Sequence, residues 1–222
     1  MNLKEAIVAR HSVRAYLDTP IPQDARAALQ TECDRLNRAH DLHMQLVFDE
    51  PAAFSGFLAH YGKFSGVRNY IAVCGKPGGD FEDRAGYAGE ALVLLAQTLD
   101  LCTCWVALTF SKGKARYTLA EGEKLLCVIA LGYGATQGRP HPSKMLTGVS
   151  DYRDGDPAWY REGIDAALLA PTATNQQRFY FRRRENTVGL SALPGPYAKL
   201  DKGIVRLHFE IGAGKDSFVW EN

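Results

Sequence analysis

The sequence predicts an α+β fold: one mixed or antiparallel sheet of about five strands, flanked by helices and built around a buried central helix. Three observations predict it. Residues 87–101, YAGEALVLLAQTLDL, are apolar nearly all round their helical projection, the pattern of a helix buried on most sides. The runs TCWVALTF (103–110) and KLLCVIALGYG (124–134) are rich in β-formers and suit central strands. Helix and strand also fail to alternate tightly enough for a doubly wound parallel sheet.

The elements follow in chain order. LKEAIVAR places apolar residues at Leu3, Ala6 and Ile7, a short amphipathic helix that carries Arg10 to its end. TPIPQDARAALQTECDRLNRAH begins at prolines, with Asp24 as the expected N-cap and Ala27, Ala28, Leu29, Cys33 and Leu36 as helical apolar positions. MQLVF (44–48) and NYIAVCGK (69–76) read as strands, the second closed by the turn signal KPGGD. Gly132 and Gly134 close the KLLCVIALGYG run. Residues 135–158 have no periodicity and read as a long loop. PAWYREGIDAALLAPTATNQQRFYF then repeats the helix, polar loop and strand order of RAALQTECDRLNRAHDLHMQLVF. The chain is therefore read as one domain, 1–222, with two pseudo-equivalent halves at about 1–134 and 152–222 joined by that loop.

Composition narrows the function classes. With 26 Lys+Arg against 25 Asp+Glu, the chain has no general attraction to nucleic acid or to an anionic membrane, so any anion site must be local. The longest apolar runs fall short of the roughly 20 residues that span a bilayer. The N-terminus lacks a signal-peptide succession and the five cysteines are odd in number, which points to five thiols in a reducing cytoplasm. No G-x-G-x-x-G follows a strand and no G-x-x-x-x-G-K-[ST] occurs. The six histidines form no H-E-x-x-H group, Cys102 and Cys104 form a C-x-C without a second pair at metal spacing, and G-x-S-x-G is absent. Metal sites, paired carboxylates and hydrolase triads find no support. The arginine run of RFYFRRRE (178–185) reads as an edge strand guarded by charge.

Two segments remain. RHSVR sets Arg10, Ser12 and Arg14 within five residues, two guanidinium forks and a hydroxyl, which suits a phosphate; a solvated basic helix end is the alternative. LLAPTATNQQRFYF (168–181) stops an apolar helix at Pro171, presents Thr172, Thr174, Asn175 and Gln177, and leaves as an aromatic strand. Together these resemble the nitroreductase superfamily of flavin mononucleotide (FMN) enzymes. Its R-[RH]-S-x-R segment matches Arg10 to Arg14, and its A-P-S-A-x-N-x-Q-P-W-x-F segment matches Ala170, Pro171, Thr172, Ala173, Asn175, Gln177 and Phe181. GYAGEALVLLAQTLDLCTCWVALTF resembles the family's central helix and its G-L-G-T-C-W-[IV] exit, and KLLCVIALGYG its v-I-A-L-G-Y strand. The late position of the A-P-S-A segment resembles the divergent Thermotoga-type subgroup.

The resemblance implies a site. Arg10, Ser12 and Arg14 would hold the phosphate and ribityl end of FMN, with His11 beside them and Arg139 and Lys144 as a second basic pair. Pro171, Thr172, Asn175 and Gln177 would face the polar edge of the ring, and the strand Thr103, Cys104, Trp105 and Val106 would run along it. The implied activity is hydride passage from NAD(P)H through flavin N5 to a nitro, quinone or similar electrophile, with no protein acid or base required. A flavin- or ligand-binding protein without efficient turnover is the alternative. The family implies a homodimer, and two half-like units imply a pseudo-dimeric monomer. Asp100 and Cys102 stand where the family has glycines, so position 100 is expected in the φ > 0 region, which Asp visits readily. Arg178 and Phe179 replace Pro-Trp, and Ala107 and Leu108 replace Gly-Gly. The late DKGIVRLHFEIGAG resembles a subgroup segment in which Asp201, His208 and Glu210 read equally as structural or functional.

Overall fold

The computed structural model describes residues 1–221. In chain order the elements are α1 (Leu3–Ala9), α2 (Gln23–His40), β1 (Gln45–Val47), α3 (Phe57–Tyr61), β2 (Asn69–Gly75), α4 (Phe81–Thr98), β3 (Cys102–Val106), β4 (Lys124–Gly132), α5 (Ala158–Leu168), β5 (Phe179–Arg184), β6 (Thr187–Ala192), α6 (Ala198–Ala213) and β7 (Val219–Trp220). They form two compact units: residues 1–9, 82–91 and 141–222 in one, residues 10–81 and 92–140 in the other.

The expected fold class holds, but with two sheets where one was expected. In the unit of residues 10–81 and 92–140, four antiparallel strands lie in the order β1-β2-β4-β3, with Ile71 opposite Leu46 and Ile129, and Ala130 between Tyr70 and Cys104. β2 is buried along its whole length. β2 and β4 are the inner strands, which is why they read as near-continuous apolar runs without alternation. One core gathers Val13, Phe54, Phe64, Tyr70, Cys102, Cys104, Val106 and Val128; a second joins Ile21, Leu29, Ala96, Leu101 and Leu131. The TCWVALTF strand stops at Val106, short of the expected Phe110, and lies at the edge of the strand order beside β4 instead of at its centre.

Local signals explain the joints. α2 starts one residue before Asp24, after Pro22, whose side chain cannot cap; Asp24 is not the N-cap but lies in the first turn, where a carboxylate favours the dipole. Arg10 lies just beyond the end of α1, because the helix stops at Ala9. Asp100 has φ 59°, as expected from the substituted glycine, and Leu101 N–H donates to the Ala96 carbonyl at 2.9 Å to turn the chain from α4 into β3.

In the other unit, α6 packs on a three-stranded sheet ordered β5-β6-β7, and α5 packs on α6. β5 is an edge strand: Phe179 and Phe181 are buried while Arg182 and Arg184 are exposed. Phe209 of α6 stacks on Phe181 at 4.6 Å and packs edge-on against Tyr160 and Phe218. Gly163 sits under the Phe209 ring, and Gly203 sits against the Asp83 carbonyl, so neither position has room for a side chain. Buried polar pairs complete this unit. His208 Nε2 meets Glu90 Oε1 at 2.9 Å with both side chains fully buried, and its Nδ1 faces the Ala166 carbonyl at 3.1 Å. Tyr87 and Trp220 donate to Glu210 at 2.7 and 2.9 Å.

Candidate functional site

Residues 10–14 leave α1 as extended backbone and run beside β3. Ser12 bridges Thr103 in parallel, and Val13 N–H donates to the Thr103 carbonyl at 3.0 Å. Extended backbone sends alternate side chains to the same side, so Arg10, Ser12 and Arg14 share a side while Val13 enters the core. Arg10 is 3% exposed. Arg14 is exposed, lies 5.9 Å over the Phe64 ring, and makes no ion pair among the described residues. The Cys104 thiol lies among these groups. Burial pushes its pKa up, while Arg14, a Ser12 hydrogen bond and Arg10 pull it back. Burial likewise raises Cys102, and all five cysteines are free thiols.

A glycine brings the next basic residue to the same segment. Gly138, at φ +74°, packs so closely on His11 and Ser12 that a Cβ there would sit 2.6 Å from the His11 Cβ and 3.3 Å from the Ser12 carbonyl. Arg139 follows directly. The structure therefore brings together Arg10, His11, Ser12, Arg14, the Gly138–Arg139 turn and the strand Thr103 to Val106. Two cationic forks and a hydroxyl beside a close backbone approach form a donor set that suits a phosphate ester.

The remaining expected residues lie together in the other unit, on the loop after α5. Thr174, Asn175 and Gln177 take φ of 51°, 54° and 44°, a region that asparagine tolerates but that is disfavoured for glutamine and most of all for β-branched threonine, so the backbone is strained there. Hydrogen bonds hold it there. Gln177 is buried; its amide oxygen accepts from Lys144 N–H at 2.8 Å, its Nε2 donates to the Leu168 carbonyl, and its own N–H donates to Thr172 Oγ1. Lys144 Nζ donates to the Gln177 carbonyl at 2.8 Å, which ties this lysine to the loop. Pro171 is buried at the start of the turn. Asn175 Nδ2 donates to the Pro142 carbonyl at 2.8 Å, which leaves Asn175 Oδ1 buried without a hydrogen-bond partner. An orphaned buried acceptor invites a donor from outside the protein.

His141 escaped the sequence reasoning. Its Nδ1 faces the same Pro142 carbonyl at 3.2 Å, and its Nε2 is buried without a partner. No motif spacing flags it, because only the loop's fold brings it beside Asn175.

The comparisons with known proteins decide the family. Residues 2–213 match the family model described as "Putative TM nitroreductase". The chain belongs to this nitroreductase family. Among solved structures, the nitroreductase chain is similar to a "putative nitroreductase" from Thermotoga maritima, with TM-score 0.70 and 21% identity over 97% of this chain and 85% of that one. It is also similar to a "putative nitroreductase in complex with FMN" from Desulfovibrio desulfuricans, with TM-score 0.55 and 16% identity over 71% of this chain and 99% of that one. A third, a "putative NADH dehydrogenase/NAD(P)H nitroreductase" from Parabacteroides distasonis, has TM-score 0.52 and 22% identity over 70% and 99%. At these identities the likeness is one of fold. A search of curated protein sequences found no match. No helix among the described residues of this nitroreductase is long and apolar enough to cross a membrane.

Proposed function

We propose that this nitroreductase-family protein is an FMN-dependent oxidoreductase that takes electrons from NAD(P)H and reduces a nitro, quinone or similar electrophile. The observation that carries the reading is the grouping of Arg10, Ser12 and Arg14 around the Thr103–Cys104 backbone in a chain whose family model spans residues 2–213.

Arg10 and Arg14 would neutralise a phosphate dianion through charge-assisted bonds, Ser12 would add a neutral donor, and Arg139, carried in by Gly138, would complete the charge. Gly138 rests against the His11 Cβ and the Ser12 carbonyl. Thr103 to Val106 would offer strand edge to the ring, and Pro171 and Thr172 would shape the turn beside its polar edge. Lys144, through Gln177, keeps that turn's amide fixed. Asn175 Oδ1 is the acceptor that an imide N–H such as flavin N3–H needs. Bound FMN would supply two-electron transfer between a nicotinamide and an acceptor, which is why this chain needs no nucleophile or triad of its own. The unpartnered His141 Nε2 adds a second polar group to that turn. A homodimer and a cytoplasmic setting accord with the same reading.

Purified protein should be yellow and release FMN on denaturation in near one-to-one ratio. Replacing Arg10 and Arg14 together should weaken FMN several hundredfold or more, from the loss of two charge-assisted contacts. Unchanged FMN affinity in that double variant would refute the phosphate role. Absence of NADH- or NADPH-driven bleaching of the bound flavin would remove the oxidoreductase assignment.

A further inference from the structure

We propose that Asp201 is the positioning residue of the 171–177 turn: its buried carboxylate is the template on which the strained backbone presenting Thr172 and Asn175 is assembled. The inference rests on the reading of that turn as a flavin contact.

Asp201 is 3% exposed in the first turn of α6. Both of its oxygens accept from Ala173 N–H at 3.1 Å, and Oδ2 also accepts from Gln176 Nε2 at 2.9 Å. Gln176 donates its second hydrogen to the Pro196 carbonyl at 2.7 Å, so the link runs from Asp201 through Gln176 into the segment before α6. Ala173 and Gln176 bracket Thr174 and Asn175, two of the turn's three left-handed residues. A turn with three left-handed residues, threonine and glutamine among them, keeps its shape only when its surroundings over-determine it. Gln177 and Lys144 clamp one end and Asp201 grips the middle.

Among the described residues no cation pairs with this carboxylate. Lys202 and Arg206, on the same helix, instead engage Asp83 of α4 at 3.0 and 2.9 Å. Only the neutral Gln176 amide and Ala173 N–H oppose its desolvation, and burial raises the Asp201 pKa to about 6. A buried, ion-pair-free carboxylate weakens the fold it sits in, so its contribution is to order the turn.

The test is D201N. Amide exchange of the peptide covering 170–178 should quicken about tenfold, as expected when charge-assisted bonds to Ala173 and Gln176 are replaced by weaker ones, while the thermal midpoint at pH 7.5 does not fall. FMN affinity should fall about tenfold at pH 7.5. It should also lose the component of its pH profile near pH 6 that wild type shows beyond the titration of FMN itself, which is common to both proteins. If D201N does not fold, Q176M removes one donor from the same carboxylate and should quicken the same peptide's exchange. Exchange unchanged in the folded variant overturns the proposal, as does a lowered midpoint with no selective change in residues 170–178. Faster exchange with unaltered FMN affinity keeps Asp201 as the organiser of the turn and removes the turn from the flavin site.

Discussion

Replacing Glu90 by alanine should unfold the unit of residues 1–9, 82–91 and 141–222 well before the conditions that unfold the wild type. Glu90 and His208 are both fully buried, and the imidazole faces an acceptor at each nitrogen: the Ala166 carbonyl at 3.1 Å and the Glu90 carboxylate at 2.9 Å. Removing the carboxylate takes from Nε2 the acceptor it faces in a fully buried site. Breaking a buried pair in this way costs about 3–5 kcal/mol, because the surviving group keeps its desolvation penalty. At about 2–4 °C per kcal/mol for a chain of this size, the thermal midpoint should drop by about 6–20 °C. Trp159 and Trp220 report on this unit, the first stacked on Phe218 at 5.8 Å and the second packed on Phe209, so urea titration followed by their fluorescence measures the loss. E90Q, which keeps an acceptor for Nε2, should recover more than half of it. An apolar E90L/H208L pair should lie closer to wild type than either single truncation. A loss below about 1 kcal/mol in E90A would refute a dry, mutually dependent pair.

Two further outcomes follow from the same unit. Asp201 has its pKa raised to about 6, above the usual 3.8, so its contribution to stability is fully present below about pH 4 and lost as pH rises through 6. Between those limits wild type should lose about 3 kcal/mol that D201N does not; urea midpoints measured from pH 4 to 7.5 should converge or cross, and parallel profiles would contradict the burial argument. G203A should push α6 off the Asp83 carbonyl and Tyr87 N–H, at a cost of about 1–3 kcal/mol or more visible in a thermal melt, and an unchanged melt would show that the two backbones do not touch.

What the sequence determined alone was everything carried by local pattern. The apolar central helix, realised as Phe81–Thr98, the buried strands β2 and β4, the left-handed turn at Asp100 and the charged edge strand at 179–184 each follow from periodicity, propensity or one residue's backbone preference, whereas the edge position of β3 does not. RHSVR suggests an anion site, proposed above, because its charges are neighbours in the chain. Other features depend on residues distant in the chain and so leave no spacing to read. The division into two sheets arose because β5 pairs with β6 as a hairpin and β6 then takes β7, some 30 residues later in the chain, as its parallel partner. Glu90 and His208 stand 118 positions apart, and Asp201 reaches the turn from 28 residues downstream. Tertiary structure alone decided that Lys144 grips Gln177, that His141 joins Asn175 at the Pro142 carbonyl, and that Asp201 organises backbone. In each case the deciding quantity was the burial of a polar group, which is set by everything packed around it.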